Sequence, residues 1–442
     1  MKIKKRLRSR KGQRGIALVT VLIAIAITLV LTNEFGTTSS VDMIAAANYR
    51  DQVRSRFLAR SAQAFGELVI RLQQRMDNAS SGSNSMMNSM LGGIQLTDYA
   101  NTLITPFCGS AEEVQGAIGF STSQLKGLGA DIGTCGFNGP IGTDDGKLNI
   151  NCANVAARAA AVKSVIDGLI YFPAYDNVFD DADAGGWHRD RPMQSAAIVD
   201  YIDKDTMMGS NRGTVEDYGY ESLKDRYYAK NTYIDTVGEM KLIRGVDDRF
   251  WTLFGDAFTT YGQCQINLKS VTNVQLIAAI LYLSAKSPTD PVILDPRKLF
   301  MLAGYVAKAP ELGENFTKLA DFVNFVKDPG GSVLGIAGSG AGTMQGSAAS
   351  TALASGLPGL QEKIGMELDP RLLGQIARIG PRRTYRVEAY GEIERMQKNK
   401  DGSPVFPAIR STVTGVWDTK VVPQNVRRPP VPNGAWVYLR ED

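Results

Sequence analysis

The chain has one histidine in 442 residues, His188. Histidine-cluster zinc sites and any mechanism that needs two imidazoles are excluded. A serine or cysteine hydrolase of the usual kind would have to use His188, which reads as a loop residue beside Trp187 and Arg189. Cysteine is scarce, with four in the whole chain. Acid is missing from the first 15 residues, which carry Lys2, Lys4, Lys5, Arg6, Arg8, Arg10, Lys11 and Arg14. Without these cations the remaining chain is slightly acidic, so the net charge of +4 gives no argument for nucleic-acid binding. Charge is absent from Ile16 to Thr32 and from Pro329 to Gln361, and proline is absent from Val41 to Arg75, where Gly66 is the only glycine. Core-forming residues are not depleted. At 44% hydrophobic and 21% charged the chain is globular, and its length suits two or three domains.

The uncharged run Ile16–Thr32 would span about 25 Å as a helix, close to the hydrocarbon thickness of a bilayer. The basic flank before it should stay cytoplasmic and the rest of the chain should lie outside the inner membrane. Three readings fit such a run. A secretory signal peptide needs small residues at a cleavage site after the run, and Asn33-Glu34-Phe35-Gly36 suits that poorly. A plain signal anchor fits. A type IV prepilin leader fits as well, and there the cut falls before the run: Gln13-Arg14-Gly15 followed by Ile16-Ala17-Leu18 resembles that signal. It implies cleavage by a prepilin peptidase after Gly15 and a mature chain that starts at Ile16, N-methylated. The fifth mature position, usually Glu in pilins, is Thr20. A subunit without that acid is poorly suited to repeat along a fibre but could sit at its end.

Beyond the run, Val53, Phe57, Ser61, Ala64, Leu68 and Leu72 recur every three or four residues, an apolar stripe on one helical face. Arg54, Arg56, Arg60, Glu67 and Arg71 lie mostly off it. The apolar helix is expected to continue as an amphipathic one whose second half packs on a globular head. Residues 77–95 read as an exposed loop, and 96–140 as a Gly-rich segment with Cys108 and Cys135. Gly146–Asn151 reads as a strand after the Asp144-Asp145-Gly146 turn. Apolar spacing predicts helices around 276–283, 299–306 and 319–326. The uncharged segment 329–361 reads as a low-complexity linker. Thr384–Ile393 and Ser411–Val416 read as strands joined through the turn at 398–404, and Pro429, Pro430 and Pro432 as an extended tail. The expected division is a leader (1–15), a transmembrane and amphipathic helix (16–75) and the first part of the head (76–193). A helical insertion (194–328), the linker (329–361) and the C-terminal strands of the head (362–442) follow.

Several of these pieces, in order, resemble general secretion pathway protein K, the large minor pseudopilin of type II secretion. The most specific is Asp200-Tyr201-Ile202-Asp203-Lys204-Asp205, where the family has Asp-Trp-Ile-Asp-x-Asp. Glu216-Asp217 with Tyr218 and Tyr220 follows, then Asn231, then Gly238-Glu239-Met240-Lys241-Leu242-Ile243-Arg244-Gly245-Val246. Gly146–Asn151 fits the family's first Asn-x-Asn strand well, whereas Gly262–Ser270 fits the second poorly. The lack of Glu at the fifth mature position is also characteristic. The resemblance implies an α+β fold: a long N-terminal pilin-like transmembrane helix, a pseudopilin α/β head with an antiparallel sheet, and a large inserted α-helical domain. It implies a structural, non-enzymatic role at the tip of the type II secretion pseudopilus, with the I and J minor pseudopilins and the inner-membrane secretion platform as partners. The head would lie in the periplasm on a single-pass inner-membrane helix. A minor pilin of a type IV pilus or DNA-uptake fibre is the alternative.

Taken alone, Asp200, Asp203, Asp205, Glu216 and Asp217 with Gly209 and Gly213 read as a solvated acidic loop. By the resemblance they are expected to hold a structural calcium ion, whose preference is for several oxygen ligands. With the cysteines outside the membrane, four allow three pairings. Cys108–Cys135 would close a local loop and Cys152–Cys264 would join the two Asn-containing strand regions. The alternative is that one or both pairs stay reduced. Leu242–Val246 also resembles one arm of a helix–hairpin–helix motif, but it lacks the Gly-x-Gly hairpin and nearby cations for phosphates, which leaves a structural turn.

Overall fold

The structure is a computed structural model that describes residues 13–80, 95–108, 133–179, 190–207, 209, 220, 225–311, 314, 316–329, 364–394, 407–421 and 434–442. Outside the described residues lie most of the leader and of the 77–95 loop, residues 109–132, Trp187, His188, Gly213, Glu216, Asp217, most of the 329–361 segment, the 398–404 turn, and Pro429, Pro430 and Pro432.

Helix α1 runs unbroken from Gln13 to Ser80, 68 residues, or about 100 Å. Among the described residues it is the one helix long and apolar enough to cross a membrane. Its first half touches almost nothing, and its side chains from Gly15 to Ala46 are exposed. The hydroxyls in that half bond back to their own helix. Thr20 Oγ1 donates to the Ile16 and Ala17 carbonyls at 3.0 and 2.9 Å, and Thr28 Oγ1 to Ala24 at 2.7 Å. Each donor is thus satisfied without water, as a lipid environment demands.

The second half of α1 lies across an antiparallel sheet of order β1-β6-β7-β8, formed by Thr134–Phe137, Thr384–Ile393, Ile409–Asp418 and Ala435–Glu441. The side facing the sheet is not the expected stripe. Ser55, Ala59, Ala62, Gly66, Val69, Ile70 and Gln73 are buried, whereas Phe57, Leu68 and Leu72 are 62%, 60% and 49% exposed. The reason is distance. The helix lies so close to β6 that a Cβ at Gly391 would collide with the Ser55 carbonyl oxygen and stand 2.5 Å from the Ala59 nitrogen. Only small side chains fit that contact. Ser55 and Ser411 share a buried hydrogen bond of 2.7 Å across it. Val69, Ile70, Phe137, Ile141, Tyr385, Val387 and Trp417 fill the rest of this core, each large side chain contributing about 1.5–3 kcal/mol by burial. Helix α2 (Ala100–Cys108) packs beside α1 through Phe65 and Phe107, and Cys108 is bonded to Cys135 of β1.

Between β1 and β6 the chain builds a second, helical core. It is wider than residues 194–328. It starts before α3 (Ala156–Ile170) and ends with α11 (Pro370–Ile376). Between them lie α4 (Asp176–Phe179), α5 (Arg191–Asp200), α6 (Asp248–Phe254), α7 (Val274–Leu283), α8 (Pro291–Leu294), α9 (Pro296–Lys308) and α10 (Leu319–Lys327). Helices α3 and α5 were hidden from periodicity because five of the first six residues of α3 are alanine and α5 is short.

The same unit occurs twice in this core. Strand β2 (Leu148–Asn149) pairs in parallel with β3 (Phe258–Thr259), and β4 (Ile266–Asn267) pairs in parallel with β5 (Ala377–Arg378). Asn149 Nδ2 donates to the Gly262 carbonyl at 3.1 Å and Asn267 Nδ2 to the Gly380 carbonyl at 2.9 Å, and each bond closes a separation of 113 residues. A helix follows each asparagine strand, α3 and α7, and an Asp-capped helix precedes each return strand, α6 behind Asp247 and α11 behind Asp369. The region that fitted the second Asn-x-Asn strand poorly therefore does the same work as the first. Cys152, just after β2, is bonded to Cys264, just before β4, which ties one repeat to the other.

The two cores meet at a buried ionic joint. The Asp145 carboxylate accepts from the Arg383 and Thr384 backbone N–H groups and from Thr384 Oγ1 at 2.7 Å, with Arg378 at 3.7 Å. Its backbone carbonyl accepts from Asn267 N–H at 2.8 Å. Asp144 holds Arg386 in a two-point pair. The far end of α1 reaches the same joint, where Asp77 feels the charges of Lys269 and Arg382 and burial lowers the Lys269 pKa.

Candidate functional site

The acidic turn is built by the end of α5. Asp190 caps the start of that helix, its Oδ1 accepting from Met193 N–H at 2.7 Å, and the helix ends at Asp200. The chain then turns over the buried Tyr201 and Ile202, so that Asp203 and Asp205 come round beside Asp200. Asp200 Oδ2 accepts from Gly209 N–H at 2.9 Å, and a Cβ at residue 209 would stand 2.8 Å from Asp200 Oδ1. Asp205 Oδ1 accepts from Met207 N–H at 2.9 Å.

Asn231 closes the turn from the other side. It is the only non-glycine with positive φ among the described residues, at 49°. That conformation lets its backbone N–H reach the Tyr201 carbonyl at 3.0 Å while its side-chain amide donates to the Asp205 carbonyl at 2.9 Å. Asn151 secures the following chain, exchanging hydrogen bonds with the Ile234 backbone at 2.8 and 2.9 Å.

Two acceptors in this turn, Asp203 Oδ1 and Asn231 Oδ1, are buried and have no hydrogen-bond partner among the described residues. Burial, with the neighbouring carboxylates Asp205 and Asp200, pushes the Asp203 pKa up to about 7. Burial likewise pushes Asp200 up to about 6, opposed by the Gly209 N–H and reinforced by Asp205. Orphaned oxygen acceptors among repelling carboxylates are a donor set that suits a hard divalent cation. Among the described residues no group of three His, Cys, Asp or Glu side chains converges tightly enough to hold a metal, and Glu216 and Asp217 lie outside them. Sequence reading missed Asn231 as part of this turn, because nothing in an isolated asparagine announces a left-handed backbone.

The raised values carry a sign. A carboxyl with a folded pKa above its unfolded value binds more protons in the native state, so stability falls as pH rises through that interval. In a chelator, the urea midpoint is expected to be lower at pH 7.5 than at pH 5.5, and Asp203→Asn should flatten that slope. A midpoint that rises between those pH values in wild type would contradict this reading of the turn.

The remaining expected site residues fall apart in space. Gly15 and Ile16 lie near the start of α1. Leu242 to Val246 form a turn with Gly245 at φ 81° and Arg244 buried, so no cation is presented there. The unexpected feature is the outer face of α1, where Phe57, Ser61, Ala64, Leu68 and Leu72 are exposed. On one flank Arg60 pairs with Glu441 and Arg71 lies over Trp417, so the head holds these charges aside and leaves the apolar stripe uncovered.

No curated protein sequence matches the chain. Among solved structures, the crystal structure of the GspK-GspI-GspJ complex from the enterotoxigenic Escherichia coli type 2 secretion system has a chain that is 13% identical, with a TM-score of 0.37. The similarity covers 69% of this chain and 78% of that one. Residues 147–253, which hold the first helical repeat and the acidic turn, match the family described as type II secretion system protein K. That match lies on the repeat that carries the Asp200–Asp205 motif, so this segment of the chain is similar to the type II secretion system protein K family.

Proposed function

We propose that this chain caps the tip of a type II secretion pseudopilus and helps to start the fibre that drives folded proteins across the outer membrane. The observation that carries the reading is the position of the helical domain. It meets α1 at Asp77, the end remote from the apolar half, and so would obstruct a subunit stacked above. Thr20 supports the same reading, since its hydroxyl is spent on its own helix and offers no charge to a neighbour's N-terminus. The exposed stripe from Phe57 to Leu72 supplies a lateral surface for subunits below, with the I and J minor pseudopilins as its partners. A prepilin peptidase cuts after Gly15, the inner-membrane platform receives α1, and the head lies in the periplasm. An intact mass that starts at Ile16 and carries one methyl group checks the processing step.

In this reading Asp200, Asp203 and Asp205, joined by Glu216 and Asp217, hold a calcium ion. The ion supplies positive charge to oxygens that are otherwise buried without partners. In this reading the helical domain spans residues 148–378, wider than the 194–328 expected from the sequence. No step here is catalytic. The test is size-exclusion chromatography of the full chain in detergent with the I and J pseudopilins of the same source. A 1:1:1 complex is expected. Separate elution in the presence of calcium would overturn the tip reading in favour of a minor pilin of another fibre, for which DNA binding by the head would be the next observable.

A further inference from the structure

We propose that α1 and α2 together form a groove for a single partner helix, the long apolar helix of one lateral subunit, with an acidic residue of that helix opposite Arg75. The inference rests on the lateral surface proposed above and adds α2 to it.

Helix α2 is pinned at three places. Just before it starts, Leu96 N–H donates to Gln73 Oε1 of α1 at 2.7 Å. In its first turn the Asn101 side chain exchanges hydrogen bonds with the Phe137 backbone at 2.8 and 3.1 Å. At its end Cys108 is bonded to Cys135. Ala100 and Ile104 are buried on the inner side. Every fourth residue on the other side, Tyr99, Leu103 and Phe107, is 59%, 38% and 62% exposed. A short helix held this firmly, with a bare apolar row and no charge of its own, has the form of a docking surface.

The row lies beside the exposed stripe of α1. Phe107 meets Phe65 of α1 with ring centroids 5.7 Å apart, so the two rows flank Phe65. On the opposite flank α1 is closed by the sheet. Arg60 pairs with Glu441, Trp436 Nε1 donates to Glu67 at 3.2 Å, and Arg71 lies over Trp417. Among the described residues the apolar surface therefore widens on the α2 side alone, which leaves one seat for one helix.

The rest of α1 gives the occupant its length. Thr32 and Leu68 are 36 residues apart, about ten helical turns, so Thr28, Thr32 and Gly36 lie on the same face as Ala64, Leu68 and Leu72. The Thr28 and Thr32 hydroxyls bond to their own helix. This lower face is narrow and offers no free donor, so a second helix can approach closely. A helix seated in the groove continues down α1 into the apolar half, as the long helix of a neighbouring subunit would and a short peptide would not. Charge gives its upper end. Arg75 is exposed there without a partner among the described residues, while Asp98, just before α2, already pairs with Arg382 at 3.4 Å. A carboxylate on the occupant supplies what Arg75 lacks.

Photo-cross-linking of the full chain in detergent with the I and J pseudopilins tests this. p-Benzoylphenylalanine replaces Leu103 on α2, Leu72 on α1 or Val437 on β8, three exposed positions. Positions 103 and 72 are expected to capture the same partner through its long N-terminal helix, and position 437 to miss that helix. Leu103→Arg with Phe107→Arg should weaken that partner about a hundredfold, with the melting temperature kept within a few degrees. Arg75→Glu should weaken it about threefold. Capture at 72 without capture at 103, or of different partners at the two, would overturn the inference and leave the lateral surface standing. No capture at either position would overturn both. Capture of a head segment at 103 would overturn the helix as occupant, and binding that Arg75→Glu leaves unchanged or tightens would overturn the acid.

Discussion

Asp145→Ala is expected to lower stability by about 3–5 kcal/mol, the cost of stranding buried partners of a fully desolvated charge. The carboxylate is almost wholly buried, accepts from two backbone N–H groups and the Thr384 hydroxyl, and stands near Arg378. Removing it leaves these donors facing one another. The effect should be more specific than its size. Asp145 lies where the helical core meets the head, and its backbone also binds Asn267. Calorimetry should therefore resolve two transitions in the variant where wild type gives one merged transition, with the head melting first because it holds the smaller core. A variant that melts in one step at the wild-type temperature would show that the joint does not couple the two cores. Thr384→Val, which removes one donor and keeps the carboxylate, should cost less, about 1–2 kcal/mol.

The second large effect is expected on assembly. Leu68→Arg with Leu72→Arg places two charges on the outer face of α1, where both leucines are exposed. Surface substitutions of this kind change stability by about 0.5 kcal/mol or less, so the melting temperature should stay within a few degrees. Co-purification with the I and J pseudopilins should be lost, because a buried unpaired charge at an interface costs several kcal/mol and that is a hundredfold or more in affinity. Arg54→Gln, off the stripe, is the control and should assemble normally. If the double variant still forms the complex, the stripe is not the lateral surface and the partners bind elsewhere on the head.

Much of the fold was legible because it rested on local patterns. Strand Thr384–Ile393 was delimited by alternation alone, and helices near 276, 299 and 319 by apolar spacing. The reading of α1 went astray for a physical reason. A hydrophobic stripe marks a face that is buried somewhere, and in a subunit of an assembly that need not be its own head. The contact with the sheet was set by close approach, which selects Ser55, Ala59, Ala62 and Gly66, residues with little hydrophobic signal. The repeat was hidden for a related reason. Its signature is two asparagines that each bind a carbonyl 113 residues away, and no local window contains both ends of such a bond. At the acidic turn the aspartates could be read from sequence, but the second wall, Asn231, depends on a chain that returns from a distance.

Those long separations also fix an order of events as the chain emerges N-terminus first. Asn149 has no carbonyl to bind until Gly262 arrives, and Asn267 waits for Gly380. Strand β1 waits longer still, since Thr134 pairs with Glu392 and α1 finds its sheet only when β6 and β7 have followed. Distant closures are slow and come after local ones. The first repeat can therefore close before the second, and both before the platform under α1 exists. On the tip reading proposed above, the helical domain that would obstruct a further subunit is then closed before α1 gains the sheet that steadies it, so a molecule whose head is finished would already carry its stop.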